Sequence, residues 1–462
     1  MESYKGKRVT IMGLGLFGGG LGVTKFFAQQ GADVLVTDLN APAKLAASLD
    51  ALRGFPVKYK LGYHELRDFT ETDLVIVNPA VPLESPYIAA AVNAHIPLDT
   101  ELNIFMRQCR SPIAAITGTN GKSTTTAWAH RIVCEKSPSA LMGGNIGRSL
   151  LDMLDVTAPE VPVILEISSF QLENLCWLRK SPHVAVITNV APNHLDRHKT
   201  MENYIAAKRA ILEYQTPDDY AILNADDEIV AGLAGSTKGR VLWFSRRKPV
   251  ENGACVNEGV VTLRVDGVSE TLCPVAELSL GGAHNVENAL AAVLVARFMA
   301  WDREGAVRAL TSFNGLEHRL EFVREHKGVR YYNDSIATNP RSVVVALKAF
   351  SAPKVLIAGG YDKQLPFDEM AEASFSEDVR AVVLVGETTG KLKAAYDTKA
   401  MSSGIEIKTI PVATFAEAVD AAAAAARWGD IVLLSPGCAS YGMFVNFEER
   451  GRVFKALVGK LQ

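Results

Sequence analysis

The run Ile113-Ala114-Ala115-Ile116-Thr117-Gly118-Thr119-Asn120-Gly121-Lys122-Ser123-Thr124 constrains this chain more than any other stretch. An apolar strand that breaks into a glycine-rich turn and reopens as a helix at Lys-Ser-Thr commits the segment to a strand–loop–helix unit. Such a unit belongs to a sheet with helices packed on it. The same arrangement is built to hold polyphosphate. Glycines let backbone N–H groups approach phosphate oxygens, and the helix N-terminus adds partial positive charge. Lys122 can reach the terminal phosphates and the Ser123 hydroxyl can ligate Mg²⁺. The spacing departs from the common phosphate loop at one point, with Ile116 standing where its first glycine belongs.

A chain of 462 residues is too long for one core, so two to four domains are expected. Lys and Arg total 48 against 51 Asp and Glu, a net charge of −3, which gives no electrostatic case for nucleic acid or a membrane surface. Cys109, Cys134, Cys176, Cys255, Cys273 and Cys438 are scattered, with no Cys-x-x-Cys pair. They read as reduced thiols of a cytoplasmic protein rather than a disulfide frame or zinc site. Met-Glu-Ser-Tyr-Lys-Gly-Lys runs straight into a strand, and no segment reaches the apolar length of a membrane span.

Strand and helix signals alternate through the first hundred residues, at Arg8–Met12, Gly20–Gln30, Asp33–Thr37 and Asp73–Val77. Short apolar runs separated by helical stretches imply a parallel, doubly wound sheet. A second region carries buried strands at Val163–Ile167 and Val184–Thr188, with a β-rich insertion over Val241–Leu272. A third alternating region follows Asn314-Gly315. The expected fold is therefore α/β in three domains: a Rossmann-like domain over 1–103, a central phosphate-loop ATPase-type domain with a mostly parallel sheet over 104–314, and a Rossmann-like domain over 315–462. Asn314-Gly315 is the expected hinge.

Several clusters sit at strand ends, where α/β sheets place their sites. Gly13-Leu14-Gly15-Leu16-Phe17-Gly18 follows the first strand, and Asp38 ends the second strand twenty residues after Gly18. That spacing fits a dinucleotide fingerprint with an acid for ribose hydroxyls, and equally a turn for another diphosphate such as a UDP-sugar. Glu166 ends a strand beside the phosphate loop, a place for a Mg²⁺ ligand, while Ser168 and Ser169 also suit a helix cap. His194 and His198 share one helix face. Without a Glu between them or a third ligand, a single His assisting a second Mg²⁺ is favoured over zinc. His198 reads as solvated or capping. Lys208 in an apparent helix reads by default as a surface cation. Asn288 after His284 could read an adenine edge or cap a helix. Cys438, with no His near it in sequence, reads as a packed thiol.

Taken in order, the segments Gly118–Thr124, Glu166-Ile-Ser-Ser-Phe-Gln-Leu-Glu, Asn189-Val-Ala-Pro-Asn-His-Leu-Asp-Arg-His, Tyr204-Ile-Ala-Ala-Lys, His284-Asn-Val-Glu-Asn, His318-Arg319, Asn333-Asp-Ser-Ile-Ala-Thr-Asn and Ser435-Pro-Gly-Cys-Ala-Ser resemble the Mur ligase family along essentially the whole chain. The Glu166 and Ser435 runs look like its D-glutamate-adding branch. The resemblance implies an ATP-dependent amide ligase working on small molecules, UDP-N-acetylmuramoyl-L-alanine and D-glutamate, through an acyl phosphate in cell-wall precursor synthesis. It implies two Mg²⁺ ions and a carbamate on Lys208, and the expected state is a monomer.

Carried over residue by residue, Gly118, Thr119, Asn120, Gly121, Lys122, Ser123 and Thr124 would hold the ATP phosphates. Asn288, Arg319 and Asp334 would face the nucleotide. Ser123, Glu166, His194 and Lys208 would serve the metals, with Lys122, Lys208, His194 and Glu166 as the catalytic set. Leu16, Phe17, Asp38, Asn145, Ser168 and Gln171 would meet the UDP-substrate, and Thr338, Lys363, Ser440 and Phe447 the amino acid. Two departures stand out. Ile336 replaces a lysine that some members carry near the incoming dicarboxylate, and Asn40 replaces a basic residue expected soon after Asp38. Other readings are a Mur-type ligase using another amino acid such as L-glutamate, a pterin-linked polyglutamate synthase, a catalytically silent nucleotide-binding module, and an NAD-dependent oxidoreductase built on Gly13–Gly18 with Asp38.

Overall fold

The computed structural model describes residues 3–15, 19–145, 149–363 and 365–461. The chain divides into two compact units, Met1–Phe313 and Asn314–Gln462. The first unit holds two sheets and the second holds one, giving three α/β layers of structure.

The N-terminal sheet has five parallel strands in the order Val57–Leu61, Asp33–Asp38, Arg8–Met12, Leu74–Val77, Leu98–Asp99. Its central strands are apolar on both faces because helices cover both, so Val9, Ile11, Val34, Val36, Val75 and Ile76 are all buried. Strand order reverses beside Arg8–Met12. The crevice this opens at the carboxyl ends is bounded by the Gly13–Gly15 turn and Asn78, whose Nδ2 donates to the Gly13 carbonyl at 3.3 Å.

Nine strands make the central sheet: Val268–Pro274, Val260–Val265, Gly253–Asn257, Arg240–Ser245, Tyr220–Asn224, Val184–Ile187, Ile113–Thr117, Val163–Glu166 and Leu141–Gly144. Neighbouring strands pair in parallel except on either side of Val260–Val265, the one strand here that runs against the rest. The stretch expected as an insertion over Val241–Leu272 is instead the continuation of this sheet. Its two hairpins turn at Glu258-Gly259 and Asp266-Gly267, where all four residues have φ between 50° and 78°. Paired positive φ values are what a two-residue turn needs to match strand twist. The pairing is therefore local, and the strands add to an existing edge rather than forming a separate element.

Helix Ala283–Met299 is apolar all round from Ala289 to Ala296, and every residue of that stretch is 0% exposed, as such a stretch must be. Helix Lys122–Lys136 packs beside it and carries the fully buried Trp128. That indole stacks on Phe313 with centroids 5.1 Å apart and donates from Nε1 to the Ala309 carbonyl at 3.2 Å.

The second unit has six strands in the order Glu321–His326, Val329–Asn333, Ile431–Leu434, Lys354–Ala358, Val379–Val385, Lys408–Val412, antiparallel only in the first pair. Separate apolar clusters cover its two faces, one around Leu347, Met370 and Leu392, the other around Phe415, Phe454 and Val458. Among the described residues, no helix is long and apolar enough to cross a membrane.

Among the described residues Trp128 is the largest fully buried side chain, and it belongs to the helix that opens at Lys122. Trp128→Ala is expected to cost about 3–5 kcal/mol in the first unit, read as an earlier urea transition of the central sheet by far-UV circular dichroism. An unchanged midpoint would contradict this packing account.

Candidate active site

Strand pairing brings three strand ends together. Ile116 lies opposite Glu166 on one side, and Thr117 lies opposite Ile187 on the other. The phosphate-type loop therefore emerges between the Glu166 end and the Thr188-Asn189 end of its neighbours. Gly118 has φ 150°, and a Cβ there would fall 1.9 Å from Thr188 Oγ1; Gly121 has φ 80°, and its Cβ would fall 2.3 Å from Asn288 Oδ1. Only glycine fits either position. Neighbouring strands fix the rest of the loop. The Thr119 amide donates to the Asn189 carbonyl at 2.9 Å, the Asn120 amide to Asn189 Oδ1 at 2.9 Å, and Thr188 Oγ1 to the Asn120 carbonyl at 2.7 Å. Lys122 folds over its own turn, with Nζ donating to the carbonyls of Gly118 (3.0 Å) and Thr119 (2.9 Å). Ser123 is buried and Thr124 half-buried at the helix start. Asn288 is 4% exposed and accepts from Thr125 Oγ1 at 3.2 Å, so it braces the loop from below.

Lys208 corrects the surface-cation reading. It is 1% exposed, and its Nζ donates to the Gly118 carbonyl at 2.7 Å while standing 4.6 Å from the Tyr204 ring centroid. Burial first, and the charge of Lys122 second, lower its pKa from 10.5 to about 6. Two lysine amines thus meet the same carbonyl oxygen, that of Gly118.

Across the loop, Glu166 is 1% exposed. Its Oε1 accepts from Asn145 Nδ2 at 2.8 Å, and its Oε2 is buried with no hydrogen-bond partner. An orphaned buried carboxylate oxygen is costly unless a cation or donor meets it. The residues therefore fit a metal here, although among the described residues no group of three His, Cys, Asp or Glu forms a ready-made cage. Ser168 is the N-cap of the short helix Ser169–Leu172, in a capping box with Gln171. Ser168 N and Oγ reach Gln171 Oε1 at 2.9 and 3.0 Å, so both residues first serve that cap.

His194 is exposed and has φ 54°, with its ring 5.0 Å from Phe170. His198, expected to be solvated or capping, is 4% exposed, which corrects the solvated reading. It faces Glu173 Oε1 through Nδ1 at 2.9 Å and Ser169 Oγ through Nε2 at 3.0 Å. The two imidazoles thus pack on one ring, Phe170, but only His194 is turned out to solvent.

In the N-terminal crevice Asp38 is 5% exposed. Its Oδ2 accepts from the amides of Leu14 (2.9 Å) and Gly15 (3.2 Å), and its Oδ1 from the Asn40 amide (2.8 Å) and Nδ2 (2.9 Å). Four donors use up a carboxylate's acceptor capacity. Asp38 therefore organises the glycine turn, and the ribose-hydroxyl role given to it in the dinucleotide reading has no free lone pair. Leu16 and Phe17 lie outside the described residues.

The second unit carries its own cluster. Asp334 is buried, accepts from Ser435 Oγ at 2.7 Å and the Leu320 amide at 3.2 Å, and has its pKa pushed up to about 7 by burial. Arg319 is exposed, and its charge opposes the upward shift of Asp334. Thr338 and Phe447 are half-buried, Ser440 is buried, and the Lys363 amine is lowered in pKa by burial. The Ile336 amide donates to the His318 carbonyl at 3.1 Å.

Two residues escape the sequence reading here. Arg450 is 0% exposed and ties the two site loops of this unit, donating to Ser335 Oγ (3.0 Å), the Ser335 carbonyl (2.8 Å) and the Cys438 carbonyl (3.0 Å). Nothing in Glu448-Glu449-Arg450-Gly451-Arg452 singles it out from a solvated helix. Tyr204 lies 3.0 Å from Thr119 Oγ1, and its position one helical turn before Lys208 was a signal available in the spacing.

Residues 7–99 match the family described as Mur ligase MurD-like, N-terminal domain; 116–296 match Mur ligase middle domain; and 318–438 match Mur ligase, glutamate ligase domain. A UDP-N-acetylmuramoylalanine--D-glutamate ligase of Roseiflexus sp. (strain RS-1) is 44% identical over 98% of both chains. One of Pelotomaculum thermopropionicum is 41% identical over 100% of this chain and 99% of its own. Among solved structures, the UDP-N-acetylmuramate-alanine ligase of Thermotoga maritima shares the fold, with TM-score 0.54 and 18% identity over 98% of this chain and 99% of its own.

The buried amine makes a pH-dependent prediction. Lys208 has a pKa of about 6 in the folded protein and 10.5 as an ordinary lysine, so between these values the unfolded chain binds the additional proton. Stability contributed by this site therefore rises with pH across that window, and the penalty is full below it. In CO₂-free buffer, Lys208→Met is expected to be more stable than the parent protein near pH 6, with the gap closing toward pH 10 in urea titrations. A gap independent of pH would contradict the assignment.

Proposed function

The chain belongs to the Mur ligase family, and we propose that it uses ATP to join D-glutamate to UDP-N-acetylmuramoyl-L-alanine in peptidoglycan precursor synthesis, in the cytoplasm. The observation that carries this reading is the paired lysines at the Gly118 carbonyl, set beside a buried carboxylate with an unpartnered oxygen. Two lysine amines gathered at one carbonyl of a phosphate-type loop, at the start of a helix, suit an anionic ligand. Full-length relatives bearing that ligase name support the choice of substrates.

The substrate's L-alanyl carboxylate is a poor acyl donor, because an oxide is a poor leaving group. Attack of a carboxylate oxygen on the γ-phosphorus breaks the bond to ADP and leaves an acyl phosphate. The amine of the incoming amino acid then attacks the acyl carbon, phosphate departs with its bridging oxygen, and the ammonium proton passes to solvent. Lys122 is one residue into the helix that follows the loop, placed to meet charge on the transferring phosphoryl group. Asn189 and Thr188 fix the loop backbone, so the amides at the start of the following helix would need no rearrangement as that charge develops.

Lys208 is neutral above about pH 6, which is the form of an amine that adds to CO₂. The carbamate so formed would turn a buried amine into an anion at the loop. When bound, Mg²⁺ would be held by Ser123, Glu166, His194 and carboxylated Lys208, and would offset charge on the phosphoryl oxygens. Asn145, through its bond to Glu166, would aim that carboxylate. Asp38 would present the glycine turn to the UDP group, with Ser168 and Gln171 near the muramoyl part. In the second unit, Asn333–Thr338 would bring Asp334 with Arg319 to the nucleotide, and Thr338, Lys363, Ser440 and Phe447 would line the amino-acid site. The saturated acceptors of Asp38 weigh against the NAD-dependent oxidoreductase.

Phosphate release from MgATP tests the proposal. Release is expected only with UDP-N-acetylmuramoyl-L-alanine and D-glutamate together. Dependence on the nucleotide-sugar with L-glutamate instead would overturn the amino-acid assignment and implicate Ile336. Release independent of the nucleotide-sugar would overturn the function. Lys208→Ala is expected to lose at least roughly a hundredfold in kcat, and a carbon-13 carbamate signal from labelled bicarbonate should vanish with it. A variant that retains either contradicts the role given to this lysine.

A further inference from the structure

Arg197 makes a connection that the reaction chemistry does not use. It lies in the four-residue helix Leu195–His198, directly after His194, yet its guanidinium reaches the N-terminal sheet's loop. Nη1 donates to the Ala80 carbonyl at 3.0 Å, and Nη2 donates to Val81 at 2.8 Å and Pro79 at 3.4 Å. The same Nη2 meets Glu173 Oε2 at 2.9 Å, with both side chains 13% exposed. The other oxygen of Glu173 holds His198 Nδ1. The guanidinium also stands 5.3 Å over Phe170, the ring on which His194 and His198 pack.

Both ends of this clamp matter. On one side, the short helix is bracketed by two non-glycine residues with positive φ, His194 at 54° and Lys199 at 68°. Such conformations persist only where the surroundings over-determine them, and here Arg197 and His198 supply the anchors. On the other side, residues 79–81 follow Asn78, which donates to the Gly13 carbonyl at 3.3 Å. An uninterrupted series of bonded groups thus runs from the glycine turn through Asn78, the carbonyls of 79–81, Arg197 and Glu173 to His198. A lysine could not do this, since three carbonyls and a carboxylate need the several fixed donors of a guanidinium.

We propose that Arg197 is a positioning residue that latches the 78–81 loop to the His194 loop and couples occupancy of the N-terminal glycine turn to the placement of His194. The coupling rests on the functional reading above, in which the turn takes the nucleotide-sugar and His194 a metal; the latch itself does not.

Amide hydrogen exchange on the full, substrate-free protein tests the latch. Arg197→Ala and the milder Arg197→Lys are expected to speed exchange in 78–81 and 193–200 together, while Ile113–Thr117 keeps its protection. Unchanged exchange at 78–81 in both variants overturns the latch, whatever the substrate. In turnover, Arg197→Lys is expected to raise KM for the nucleotide-sugar roughly tenfold, and to raise the Mg²⁺ concentration giving half-maximal rate, with KM for ATP unmoved. Asn78→Ala combined with Arg197→Lys should lose no more than the worse single variant. Losses that multiply, or a lower kcat with both other parameters unchanged, overturn the coupling. A parent protein without nucleotide-sugar-dependent phosphate release removes the functional reading, and the exchange data still decide the latch.

Discussion

The Gly118 carbonyl and the two lysine amines that meet it hold the site in its unusual state. A buried ammonium with no acidic partner is one of the more costly things a protein interior can contain. Lys208 meets that cost by giving up its proton, which leaves one amine neutral and Lys122 to carry the charge. The rest of the loop is arranged around this choice. Gly118 and Gly121 admit Thr188 and Asn288 at distances no side chain would tolerate, and those two residues brace the loop from opposite sides. The Tyr204 ring stands against the Lys208 amine and its hydroxyl meets Thr119 Oγ1. The nearby Glu166 oxygen without a partner leaves a buried carboxylate that a cation could meet, as the proposed function requires.

Topology makes that concentration of groups possible. Because all strands around Ile113–Thr117 are parallel, their carboxyl ends lie along one edge, and the loop, Glu166 and Thr188-Asn189 meet without long excursions of the chain. The N-terminal sheet repeats the device on a smaller scale, with Asp38 spending its acceptors on the glycine turn. Buried charges serve as ties in both units. Glu173 joins Arg197 to His198 in the first, and Arg450 joins the Ser335 and Cys438 segments in the second.

Much of this was legible from residue order, and what was not has physical causes. The phosphate loop, the parallel sheets and Glu166 at a strand end follow from local pattern: an apolar run, glycines and a helix start. The edge hairpins were misread as an insertion because strand pairing partners cannot be seen in a single sequence, although Asp266-Gly267 already marked a tight turn. Residue pattern leaves Lys208 a surface cation and His198 solvated or capping, since burial of one polar side chain depends on tertiary packing that periodicity does not report. Tyr204 stood one turn from Lys208 and was within reach of the helical period. Arg450 and Arg197 had no such signal, for their partners are main-chain carbonyls, which carry no sequence identity.

The account's central claim is that the loop, its lysines and Glu166 serve transfer of a phosphoryl group to a carboxylate. Labelling the alanyl carboxylate of the nucleotide-sugar with oxygen-18 and analysing the released phosphate tests it directly. Transfer through an acyl phosphate predicts one labelled oxygen in each phosphate formed, the other remaining in the new amide. Unlabelled phosphate would mean that water, not the carboxylate, attacks ATP, and would contradict the account.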